Sequence, residues 1–117
     1  MSYVDGFLVP VPKAKLDEYK QLASTASRVW LEHGALDYRE WIADDVKAGK
    51  LTSFPQSVAM ADDETVVFAW ILYESRAHRN AVNEKVMQDP RMKTDPANWP
   101  FDGKRMIFGG FAPLLGE

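Results

Sequence analysis

The sequence predicts a single α+β domain over residues 1–117, with elements in the order β-α-β-β-α-β and a four-stranded antiparallel sheet ordered 4-1-3-2. Three observations carry that reading. Tyr3–Val11 and Thr65–Tyr73 are apolar at both alternating parities, as strands covered on two faces are. Leu36–Ala43 and Lys104–Leu115 are more polar strand-like runs and suit the flanks. Two amphipathic helical patterns stand in the crossover positions.

Each element has its own warrant. The first strand, YVDGFLVPV, is expected to end at Pro10 and Pro12, and Pro12 suits a helix entry. Leu16, Tyr19, Leu22, Ala23, Ala26, Val29, Trp30 and His33 recur at three- and four-residue steps, the stripe of a helix of about 20 residues. Gly34 follows where a left-handed residue closes a helix. LDYREWIA alternates and has polar residues on both faces, as an edge strand does. Phe54–Met60 fits a short helix and an extended segment equally, and Asp62-Asp63 marks a turn. TVVFAWILY is the second central strand. Ser75 is a good N-cap for a helix over Arg76–Gln88, expected to bury Ala77, Ala81, Val82 and Val86. Asp89-Pro90 stops it. Asp89–Gly103 is a long loop with three prolines and the cluster Trp99-Pro100-Phe101, the kind of loop that forms a lid, an interface or a disordered segment. Gly109-Gly110 in the last strand marks a bulge or a close backbone approach.

This order is the ferredoxin-like one, with the first and third strands at the centre and both helices on one face. The opposite face would then be wet in a monomer, although the central strands are apolar on both sides. The economical solution is a second copy, two sheets facing each other in a homodimer.

Composition narrows the chemistry. Apolar residues make up 46% and charged residues 26% of 117, so the chain is not a disordered one. It has no cysteine, which removes disulfides, thiolate metal sites and cysteine nucleophiles. Two histidines and acids without ligand spacing predict no metal, and no nucleotide-cradling or hydrolase motif suggests a cofactor or a serine nucleophile. No apolar run predicts a membrane span and Met1–Gly6 has no basic leader, so a cytoplasmic protein is expected. The net charge of −3 and pI near 5.4 argue against nucleic acid as a partner. KRMIFGGF echoes the base-stacking strand of RNA-recognition modules only loosely, with the wrong spacing. Residues 76–93 hold five basic residues against two acidic ones, a solvated helix face or a patch for an anionic ligand or acidic partner.

MSYVDGFLVPVPK at the start, HGALDYRE after the first helix, DDETVVFAWILYESRAHRNAVNEKVM and PFDGKRMIFGGF resemble the DUF1428 family over nearly the whole chain. The resemblance implies a small bacterial protein whose monomer closes a dimeric α/β barrel with its twin. It places the chain among folds that also serve cofactor-free quinol monooxygenases, lactone isomerases and haem enzymes. It carries no catalytic residue over.

Asp5, His33 and Arg105 are the candidate catalytic residues. Asp5 in a central strand needs a partner, for which Lys104 or Arg105 is expected, or it is a general base. His33 is either a cationic imidazole at a helix C-terminus or a proton acceptor between helix and sheet. His78 is expected to face solvent. Arg105, with Asp102 and Lys104, either anchors the loop or holds an anion. Tyr3, Tyr38, Trp70 and Tyr73 pack the core or, with Trp30, Trp41 and Trp99, line a pocket for a small hydrophobic ligand. Three functions follow, in this order: a cofactor-independent oxygenase or isomerase acting on a hydrophobic substrate, a non-catalytic ligand-binding or stress-associated homodimer, and last an RNA-binding module.

Overall fold

The computed structural model describes residues 2–116. Its strands are β1 (Tyr3–Pro12), β2 (Asp37–Ile42), β3 (Glu64–Tyr73) and β4 (Ile107–Phe111). Its helices are α1 (Leu16–Glu32), the single turn α2 (Phe54–Ser57) and α3 (Arg76–Gln88). The sheet is antiparallel with the order β2-β3-β1-β4, the expected 4-1-3-2 read from the other edge. β1 and β3 pair along their full length, from Tyr3 opposite Tyr73 to Pro12 opposite Glu64.

β1 runs through Pro10 and ends at Pro12, the second of the two expected stops. Lys13 N–H donates to Asp63 O on the β3 side, so by alternation Pro10 and Pro12 turn their missing N–H toward the β4 side. β4 pairs β1 only from Val4 to Leu8, so no ladder bond is lost there. β4 is also shorter than the predicted Lys104–Leu115, because Asp102 accepts from Lys104 N–H and bonds the Arg105 side chain, folding that stretch into a turn. Gly109-Gly110 is a close approach and not a bulge, since the register runs unbroken.

α1 and α3 pack on the odd-numbered residues of β1 and β3. Val29 of α1 and Val82 and Val86 of α3 bury against Ile71 and Tyr73, while Tyr19 of α1 packs on Val9, Val11 and Val67. Gly34 closes α1 at φ +117°, and the Ser75 hydroxyl accepts from His78 N–H at 3.0 Å to cap α3. The α3 stripe is narrower than predicted: Val82 and Val86 are buried, whereas Ala77 and Ala81 face solvent. The loop after α3 is built from two 3₁₀ turns, Pro90–Met92 and Pro96–Asn98, capped by the Asp89 and Asp95 carboxylates. Its aromatic cluster turns onto its own chain. Trp99 stacks on Phe101 at 5.4 Å, and Phe101 meets Tyr19 edge-on at 5.6 Å.

The even-numbered face of the sheet carries neither α1 nor α3; only the single turn α2 reaches it, where Phe54 lies near Leu8, Val66 and Phe68. Val4, Leu8, Phe68, Trp70, Leu72, Ile107 and Phe111 share it by register. The molecule is a plate of 38 × 36 × 21 Å. The short dimension matches one helix layer on one sheet. Among the described residues no helix is long and apolar enough to cross a membrane.

Candidate functional site

The helix side of the sheet holds a partly buried polar layer. Asp5, 5% exposed, receives Arg79 Nη1 at 3.2 Å. Arg79 also donates Nη2 to the Tyr3 hydroxyl at 3.3 Å and lies over the Tyr3 ring at 5.1 Å, while its buried Nε has no hydrogen-bond partner among the described residues. Trp30 Nε1 donates to both Tyr73 Oη and Asn83 Oδ1 at 3.1 Å. Burial pushes the Tyr73 phenol up, and the Asp5 charge pushes the same way, so Tyr73 remains a neutral donor.

Asp5 therefore pairs with α3 and not with Lys104 or Arg105, and register gives the reason. Asp5 lies opposite Gly110, whereas Arg105 precedes the first residue of β4 and sits near the far end of β1. There it forms a bidentate pair with Glu64 at 2.7 and 2.6 Å, Glu64 being opposite Pro12. Seven residues of strand separate Pro12 from Asp5, roughly 23 Å at 3.3 Å per residue. Arg105 and the Ala61 N–H hold the Glu64 carboxyl below the usual range.

His33 belongs to a third cluster. Its Nε2 lies 2.8 Å from Asp89 Oδ2, at the C-terminus of α1. Asp89 is buried and also receives the Arg91 side chain and backbone N–H, and Arg91 continues to Glu32. These bonds from Arg91 and then His33 hold the Asp89 carboxyl well below its ordinary range. The candidate catalytic residues thus fall in three separate ion-pair clusters. His78 is half-buried and not simply solvent-facing, because its Nδ1 accepts from Glu74 N–H and its ring meets Tyr73 edge-on.

Of the proposed pocket residues, Tyr3, Tyr38 and Tyr73 lie on the helix side and Trp70 on the other. The sequence reading missed one grouping: Glu40 accepts from both Tyr38 Oη, at 2.7 Å, and Tyr19 Oη. Burial first, and the Glu40 charge second, push both phenols up. The visible signal was parity, since Glu40 shares the inward face with Tyr38 and Ile42 and is the one charge in that row.

The concave surface lies on the helix-free face. An open hollow of about 500 Å³ is lined by Val4, Gly6, Phe68, Trp70, Leu72 and Phe111, with hardly a polar atom among them. A smaller one, about 190 Å³, adjoins it across Phe68, around Leu8, Trp41, Val46 and Phe54.

The sequence profile of the family described as "Protein of unknown function (DUF1428)" matches residues 2–103. The chain is 49% identical, over all 117 residues of both proteins, to "Uncharacterized protein YbaA" of Escherichia coli strain K12 and equally to that of Shigella flexneri. Among solved structures, an uncharacterized NIPSNAP domain protein from Burkholderia xenovorans superposes with a TM-score of 0.57 at 13% identity, covering 98% of this chain and 99% of that one. At that identity the likeness concerns the fold.

Proposed function

We propose that this chain, which belongs to the DUF1428 family, works as a homodimer that closes its helix-free sheet face around a small apolar molecule. The carrying observation is the extent of that uncovered face. The chain exposes 7929 Å², against about 6,500 Å² for a compact monomer of its mass. Its radius of gyration is 14.8 Å, where a compact domain of this length has about 13 Å. The excess, roughly 1,400 Å², is shared between that face, the exposed segment over 44–52 and the tail after β4, and is larger than the roughly 800 Å² that each partner hides in a standard interface. A second copy placed face to face converts the ferredoxin-like monomer into a dimeric α/β barrel and roofs the hollow over Trp70.

The hollow's volume lies within the roughly 300–1,000 Å³ of small-molecule sites. Its walls offer Phe68, Trp70 and Phe111 rings and almost no hydrogen-bonding group, which suits a flat, uncharged, aromatic ligand. Asp5, His33 and Arg105 already satisfy Arg79, Asp89 and Glu64, and this supports binding ahead of acid–base chemistry. One observation favours a second reading, a cofactor-independent oxygenase or isomerase. Glu40 is held by two phenols and, among the described residues, by no ion pair, which leaves its carboxylate as a proton acceptor on the helix side.

Sedimentation at micromolar concentration and equilibrium dialysis with 1-naphthol test the proposal. The expected particle is about 27 kDa, twice the 13.3 kDa chain. Trp70→Ala is expected to remain dimeric and bind naphthol at least tenfold more weakly. A 13 kDa wild-type particle, or naphthol binding indifferent to Trp70, overturns the reading. Oxygen uptake with a quinol panel that disappears in Glu40→Gln would transfer support to the oxygenase.

A further inference from the structure

The two concavities of the helix-free face differ in size, and the smaller is beside a second unexplained feature. The hollow around Leu8, Trp41, Val46, Phe54 and Phe68 is about 190 Å³, below the usual range for a small-molecule site. It is large enough for side chains. Meanwhile the chain leaves β4 at Phe111 and runs out as Ala112-Pro113-Leu114-Leu115-Gly116, with Leu114 and Leu115 99% and 94% exposed. Adjacent leucines left wholly in water on a short tail are costly at roughly 1.5–3 kcal/mol of forgone burial each. Their own chain does not take them.

Resting on the homodimer reading, we infer that the C-terminal leucines of each copy clasp the other copy, seating Leu114 and Leu115 in the partner's Leu8–Trp41–Val46–Phe54 hollow. Register supplies the geometry. Phe111 pairs with Val4 near one end of the sheet, while Leu8 and Phe68 lie four residues further along β1, toward the other. A two-fold axis lying between the sheets and across the strands sets the Phe111 end of one copy over the Leu8 end of its twin. The tail must then cross from β4 to the neighbourhood of β3, two strand spacings or roughly 10 Å. Leu114 and Leu115 stand three and four residues past Phe111, so extended chain carries them up to roughly 10 and 14 Å, and the reach suffices. Pro113 keeps the tail from extending β4 as a strand and stiffens it for the crossing. The exchange is reciprocal, so each dimer gains two clasps.

The absence of cysteine in the chain gives a clean test. Chains carrying Leu115→Cys alone and Val46→Cys alone are mixed, allowed to exchange subunits and oxidised, with size measured in parallel. The expected result is a disulfide-linked heterodimer as the main product, exceeding what either variant forms by itself. Both positions are solvent-exposed, so folding is not at stake. In a second arm, Leu114→Asp with Leu115→Asp raises the dimer dissociation constant at least tenfold. A 27 kDa particle without cross-linking overturns the clasp and leaves the homodimer standing. A link within one chain, formed by the double-cysteine protein and running as a monomer, also overturns it. A 13 kDa wild-type particle removes the homodimer and the clasp with it.

Discussion

Asp89 shows how a single side chain joins three elements. It caps a 3₁₀ turn, receives His33 from the end of α1, and pairs with Arg91, which in turn reaches Glu32. The folded state therefore holds this carboxyl below the roughly 3.9 of an unfolded aspartate. A depressed folded value means that the unfolded chain takes up the proton first. The contribution is thus complete above about pH 5 and is lost as pH falls below about 4 toward the folded value. Glu32, Glu64 and Asp102 are lowered as well, by Arg91, by Arg105, and by the Lys104 N–H with Arg105 respectively, so acid acts on all four together. Urea unfolding between pH 2 and 7 checks this. Wild-type midpoints should fall on acidification, and Asp89→Asn should be less stable at pH 7 with a shallower fall, so that the curves converge near pH 2. Parallel curves would show that the Asp89 proton is not linked to folding.

At the scale of elements, the closest fit is between β1 and β4. A Cβ at Gly110 would collide with the Tyr3 phenol, whose hydroxyl is in turn bonded to Arg79. Gly110→Ala should therefore destabilise by about 1–3 kcal/mol, as overpacking does. Tyr3→Ala in the same protein should recover part of that loss, because it removes the atom in the way, and thermal unfolding of the four-member cycle measures the coupling. Equal and additive losses would place the strain elsewhere. The need for glycine here was readable from Gly109-Gly110 in a strand, as were the central strands, Gly34 at a helix end and the Ser75 cap, because each depends on residues close in sequence. The partner of Asp5 was not readable. Choosing Arg79 over Arg105 required the register of β4 and the projection of α3, which are long-range facts. The Glu40 cluster was hidden for the same reason, since Tyr19 comes from another element 21 residues away.

Whole-molecule behaviour follows from the plate shape. A two-layer domain only 21 Å thick buries one face of its sheet well and leaves Phe68, Trp70 and Phe111 to whatever meets the other. If that is a second copy, unfolding is coupled to dissociation, and the melting temperature must rise with protein concentration. The face is apolar around Trp70, the charges that β2 brings to it, Asp37 and Arg39, pair with each other at 3.0 Å, and Glu64 at its far end pairs with Arg105. Salt screens exposed charges over roughly 10 Å at 0.1 M but leaves apolar burial intact. The dimer dissociation constant should accordingly change less than about threefold between 0.05 and 0.5 M sodium chloride. The basic stretch over residues 76–93 makes the opposite demand: association through it would weaken steeply with salt. Calorimetry over a hundredfold range of concentration, repeated at both salt levels, separates the two. A melting temperature that ignores concentration would mean that the sheet face stays uncovered, and a steep salt dependence would move the contact from the sheet to α3.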